Sequence, residues 1–209
     1  MKITPEELTN HRYVLLDTLG HKELIPFVRS YLKKRTPISL FYTVCNAAIA
    51  GVIVFWFWKS YGTEGFDFGN AFTHFSYGLA IAFGLIPIHE YIHVLAYKSQ
   101  GAVNTSYDAN LKKFYFMALA DKFVANKKEF RVVALSPFAV ITTTLIVLLF
   151  FASQVWKFTI LGVLLTHTAF SSGDFGILSY FEFYKEKDIV TYDDKENSIS
   201  YFYGKPNGK

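Results

Sequence analysis

Four stretches of this chain run apolar for too long to be strands or ordinary core helices. The first, Ile38 to Trp58, holds no charge at all and ends in Phe55-Trp56-Phe57-Trp58, an aromatic cluster of the kind found at a membrane–water boundary. The second runs from about Ala71 to Tyr97 and carries Glu90 with His74, His89 and His93. Val132 to Phe151 forms the third, and about Phe158 to Tyr184 the fourth. Each is long enough as a helix to cross a hydrocarbon core about 30 Å thick.

The segments between them are polar. Within 98–131, Phe114 to Leu119 and Lys122 to Val124 read as two short strands around Ala120-Asp121. Asn126 and Glu129 have capping-box spacing and start the helix that enters the third span. After Tyr184 the chain turns polar, with Asp193-Asp194-Lys195 as a turn between short strands and loose final residues. The pattern predicts an all-α membrane protein with about four transmembrane helices and a small cytoplasmic β-strand segment between the second and third. Three parts follow: an N-terminal region at 1–37, a membrane-embedded domain at 38–184 and a tail at 185–209. The first 37 residues lack the apolar core of a cleavable signal peptide, so the N-terminus is expected to be retained.

Composition supports the bilayer as solvent. The chain has 209 residues, 52% of them hydrophobic and 19% aromatic, more than a soluble domain of this size keeps from water. Its one cysteine, Cys45, excludes an internal disulfide and a cysteine-based metal site. A formal charge of +4 could suggest nucleic acid, but the basic residues form no single patch, so no nucleic-acid partner is expected. They cluster in alternate connections. Residues 1–37 and 98–131 hold seven Lys/Arg each, and 59–70 and 152–157 hold one each. The positive-inside rule places both termini and the 98–131 segment in the cytoplasm, across the cell inner membrane. The Lys33-Lys34-Arg35 run reads as an anchor beside anionic lipid.

The candidate chemistry lies in the second span. In His89-Glu90-Tyr91-Ile92-His93 two histidines four apart present both imidazoles on one helical face to a single ion. Glu90 stands where it can take a proton from a water that the ion polarises, which is the chemistry of zinc peptidases. Ionisable groups inside an apolar span are costly and usually mark function; the competing account is a polar cluster that joins helices by hydrogen bonds. A catalytic zinc needs a third protein ligand and an open position. Asp174, in Ser171-Ser172-Gly173-Asp174, is the candidate. At 1.5 Å per residue His89 and His93 lie about 14 and 8 Å from Lys98, and Asp174 about 16 Å from Lys185, all in the cytoplasmic half of the bilayer.

Glu182 sits too near the boundary to be the third ligand, and Asp108 and Asp121 would have to fold back to reach it. Pro87 frees the carbonyl of Phe83 and predicts a kink just before His89. Ser136-Pro137 predicts a break in the third helix. His167, seven residues before Asp174, reads better as a packing histidine than as one that orients water or substrate. His74 near the outer surface, and His11 and His21 in the polar N-terminal region, carry no assigned role.

These residues resemble the site-2 protease clan of intramembrane zinc metalloproteases, and specifically a family of small bacterial membrane proteins named as zincin peptidases. The matching features are the His89-to-His93 motif on one span, Gly173-Asp174 on a later one, the cytoplasmic strand segment and the Ser136-Pro137 position. The resemblance covers roughly residues 70 to 185. It implies zinc ligands His89, His93 and Asp174, and Glu90 as the residue that activates water. It also implies that a strand, here Phe114 to Leu119, holds substrate by edge pairing. Asp174 is followed by Phe175, where the clan usually has glycine, and no PDZ domain is inserted. The leading function is a zinc-dependent endopeptidase that cuts a transmembrane or membrane-adjacent protein segment. The alternative is a non-enzymatic membrane protein holding zinc for structure or partner binding; a metal transporter ranks last because the outer halves of the spans are nearly uncharged.

Overall fold

The computed structural model describes residues 2–110 and 115–206. The chain is a mixed α and β protein, not the all-α bundle that its apolar stretches predict. Strands β1 (Val14–Gly20), β4 (Ala125–Asn126), β5 (Lys187–Asp194) and β6 (Ile199–Pro206) form an antiparallel sheet in the order β1-β6-β5-β4. Strands β2 (Thr105–Asn110) and β3 (Tyr115–Ala120) form a separate hairpin. The helices are α1 (Leu24–Leu32), α2 (Pro37–Tyr61), α3 (Phe68–Gly84), α4 (Ile86–Ser99), α5 (Lys127–Phe151), α6 (Gln154–Phe170) and α7 (Ser172–Phe183).

The polar ends of the chain account for the sheet. In β6 buried and half-buried residues alternate, as period-2 geometry requires, with Ser200, Phe202 and Gly204 turned inward. β6 pairs with β5 across a tight connection and with β1, from the other end of the chain, with a bulge between Leu15 and Asp17. Phe202, Tyr180, Phe181, Ile189 and Leu178 make the apolar core beneath it. The Asn126 capping box forms as expected: Asn126 Oδ1 accepts from the N–H of Lys128 and Glu129, and Glu129 Oε2 accepts from Asn126 N–H. The strand around Phe116 also forms, but its partner is the upstream β2 rather than Lys122 to Val124; Phe114 lies outside the described residues. At the edge of this region Asp193 accepts the hydroxyl of Ser200 at 2.6 Å, while burial pushes its carboxyl above the usual range.

Among the described residues two helices, α2 and α5, are long and apolar enough to cross a membrane, or three spans if α3 and α4 count as one. Only 6% of the apolar window of α2 is buried in the protein, which leaves a large apolar surface on this helix uncovered by the described residues. α3 and α4 meet at Leu85 with a 43° bend, the kink that Pro87 predicts. The expected fourth span is corrected. It is broken at Ser171 into α6 and α7, of 17 and 12 residues, about 26 and 18 Å long and each short of the hydrocarbon thickness. Ser171, Ser172 and Gly173 are poor helix formers, and the Ser171 hydroxyl shares the carbonyl of His167 with the Ser171 N–H. In the third stretch the predicted break is absent: α5 runs through Pro137 without interruption.

The chain divides into two compact units, one of residues 1–39, 90–136 and 173–209, the other of 40–89 and 137–172. The first holds both sheets, α1 and α7. Within the second, α3 packs along α6 at a close crossing between Gly78 and Gly162.

Candidate metal centre

Helix α4 starts just past the bend at Leu85, and the N–H of His89 closes its first turn on the Leu85 carbonyl at 2.8 Å. One face of this helix carries His89, Glu90 and His93, each only 7% exposed. Their nearest ligand atoms all lie within 4.8 Å of one another. Three ionisable side chains buried together in an apolar helix demand partners, since an unpaired buried charge is costly.

Each has one. His93 Nε2 lies 3.2 Å from Asp174 Oδ1, in the first turn of α7. A carboxylate there also meets the positive end of that helix. On the other side of the ring, His93 Nδ1 stands 3.0 Å from the carbonyl oxygen of Val133. That carbonyl is available because Pro137, four residues on, has no N–H to give it. The proline expected to break α5 therefore leaves the helix intact and exposes one acceptor, which orients His93. Glu90 Oε2 accepts the backbone N–H of Ala118 in β3 at 2.7 Å. His89 Nδ1 lies 3.3 Å from Nε2 of the buried His167.

The donor set fits a divalent zinc ion. Nitrogen and oxygen ligands at about 2.0–2.1 Å in a tetrahedron stand about 3.3 Å apart, close to the separation of His93 Nε2 and Asp174 Oδ1. Both histidines have Nδ1 engaged by another group, as the outer partners of metal-bound imidazoles do, and His93 turns its Nε2 toward Asp174. Substituting alanine for Pro137 tests the proline's part. The new N–H competes with His93 for the Val133 carbonyl, so zinc affinity is expected to fall by roughly tenfold. Thermal stability should rise, because proline inside a helix costs up to about 3 kcal/mol relative to alanine. Chelator competition and a thermal melt read both, and unaltered affinity would argue against this role of the carbonyl.

Of the expected site residues, His93 pairs with Asp174 of α7, and Glu90 and His89 lie beside His93 on α4. The others lie elsewhere. Asp108 pairs with the buried His21 at 2.7 Å, Asp121 accepts the N–H of Lys195, and Glu182 pairs with Lys127 at 3.0 Å. His74 faces Thr159 at 3.1 Å. The spacing of His167 to Asp174 has no helical meaning, because Ser171 separates their helices. Sequence reasoning missed the Val133 carbonyl, although Pro137 signalled it, and missed the Ala118 amide, which nothing in the sequence signals.

A family model described as "Putative zincin peptidase" matches residues 82–189, just over half of the chain. Comparisons with curated proteins and with solved structures give no match. The matched stretch includes all of α4 from its first residue, the hairpin, α5, α6 and α7, and with them His89, Glu90, His93 and Asp174. The chain belongs to the putative zincin peptidase family, whose description implies a metallopeptidase that uses zinc.

Proposed function

We propose that the protein is a zinc-dependent intramembrane endopeptidase that hydrolyses a peptide bond in a transmembrane or membrane-adjacent protein segment. The observation that carries this reading is the contact of His93 with Asp174, which adds a carboxylate to the His89–Glu90–His93 face of α4. His89, His93 and Asp174 are the proposed ligands, and a fourth position stays open for the reaction. Zinc, when bound, supplies Lewis acidity that polarises the scissile carbonyl and makes water reactive near neutral pH. Glu90 takes the proton of the attacking water and delivers it to the leaving amine. Its hydrogen bond from Ala118 fixes the carboxylate, so it keeps one direction through both transfers. A structural zinc site has no use for a carboxylate beside its first histidine.

The apolar helices α2 and α5 support a bilayer setting, and the loop charges support cytoplasmic termini in the cell inner membrane. The likeness of the motif and Gly173-Asp174 to the site-2 protease clan supports a membrane-embedded substrate over a soluble one. A helical segment must be locally unwound to be cut, since its peptide bonds are shielded by their own hydrogen bonds.

The test is metal analysis of the purified full chain beside Asp174→Ala. One zinc per wild-type chain is expected, with loss of most of it in the variant, because two histidines alone hold the ion far more weakly. Full zinc in Asp174→Ala removes Asp174 from the ligand set, and no zinc in the wild type removes the proposal.

A further inference from the structure

His167 lies in the last turn of α6 and is 1% exposed. Its apolar neighbours Leu161, Val163 and Leu164 are buried too, so a histidine here occupies a place where leucine would pack at lower cost. Its Nε2 lies 3.3 Å from His89 Nδ1, with the two rings tilted at 59° and their centroids 5.4 Å apart. A neutral imidazole has one N–H and one lone pair. For a nitrogen-to-nitrogen contact to be favourable, one ring donates and the other accepts.

We propose that His167 is a positioning residue for His89: its Nε2 accepts the Nδ1 proton of His89, which fixes the tautomer and ring plane and leaves His89 Nε2 as the metal-binding lone pair. His93 receives the same service from the Val133 carbonyl. The two histidines of the motif are thereby oriented through separate helices, His93 by α5 and His89 by α6. The close crossing of Gly78 and Gly162 sets the approach, since α3 leads through Leu85 directly into the turn that bears His89. The inference rests on the reading of His89 as a zinc ligand.

Chelator-competition titration with zinc alone, on the detergent-purified full chain, tests it in wild type and in His167→Leu, His167→Asn and His167→Gln. A glutamine amide oxygen reaches about as far as Nε2, whereas asparagine reaches only as far as Nδ1. Leucine and asparagine are expected to lower zinc affinity by roughly 10–100-fold, and glutamine to restore most of it. The visible spectrum of the cobalt-substituted protein should follow the same split, with glutamine like wild type. Leucine at full affinity with a wild-type cobalt spectrum, or glutamine as weak as leucine, overturns the proposal. Should the leucine variant fail to fold, histidine nitrogen spectra of zinc-loaded wild type decide. A protonated Nδ1 on His89 facing an unprotonated Nε2 on His167 supports the assignment, and the reverse pair refutes it. Wild type that takes up no zinc is a different result, which overturns the metal reading itself and this proposal with it.

Discussion

Glu90→Gln is expected to lower peptide-bond hydrolysis by at least roughly 10²–10⁴-fold while zinc stays bound. The two halves of that expectation come from different atoms. Glutamine keeps the length of glutamate and can still accept the Ala118 N–H that now reaches Glu90 Oε2 at 2.7 Å, so β3 and α4 stay in register. What it loses is a basic oxygen, and with it both proton transfers. Zinc content is unaffected because the three proposed ligands are untouched. The measurement pairs cleavage of a membrane-embedded reporter segment with metal analysis of the same preparation. Zinc lost together with activity would make Glu90 a ligand; activity retained would place the base on another residue.

The site was more legible in the sequence than the fold around it. The reasons are local and long-range, respectively. His89, Glu90 and His93 fall within one helical turn, so their common face follows from the 3.6-residue period. Asp174 could be matched to them by depth because acids are rare in apolar segments, although its helix begins only at Ser172 and does not span. Of the sheet, the hairpin of β5 and β6 was legible from the turn at Asp193-Asp194-Lys195, but its pairing with β1 was not. β6 alternates but β1 does not, the two lie at opposite ends of the chain, and nothing local in Val14 to Gly20 names Ile199 to Pro206 as its partner. The polar ends were therefore read as cytoplasmic tails when they build an apolar core of their own around Phe202 and Tyr180. Hydropathy also cannot see a helix break of one residue, which is why Ser171 was read through. Pro137 shows the converse. A proline in an apolar run signals either a break or a freed carbonyl, and only the position of His93 tells which.

Gly162→Ala is expected to destabilise the protein by at least about 1–3 kcal/mol, the range for overpacking a tight interface, and to weaken zinc binding in the same variant. A Cβ at Gly162 would run into the carbonyl oxygen of Phe75 and stand 3.1 Å from the Gly78 Cα and the Leu79 N. A Cβ at Gly78 would meet the Thr159 carbonyl oxygen, with the Val163 N at 2.8 Å and the Gly162 Cα at 2.9 Å. All of these are backbone atoms. No rotamer change relieves them, so α3 and α6 must move apart, which is how small residues govern helix approach inside membranes. Separation of the helices also lengthens the 3.3 Å contact of His89 with His167, since α3 leads into the His89 turn and α6 carries His167. Gly51→Ala is the control. Gly51 lies within α2, and an added Cβ meets nothing within 4 Å, so the substitution should be neutral or stabilising by up to about 1 kcal/mol. Thermal unfolding in detergent with chelator competition separates the two effects. If Gly162→Ala melts like Gly51→Ala, the crossing is looser than its backbone contacts require. If it melts early but holds zinc as tightly as wild type, the helix pair stabilises the fold without setting the metal centre.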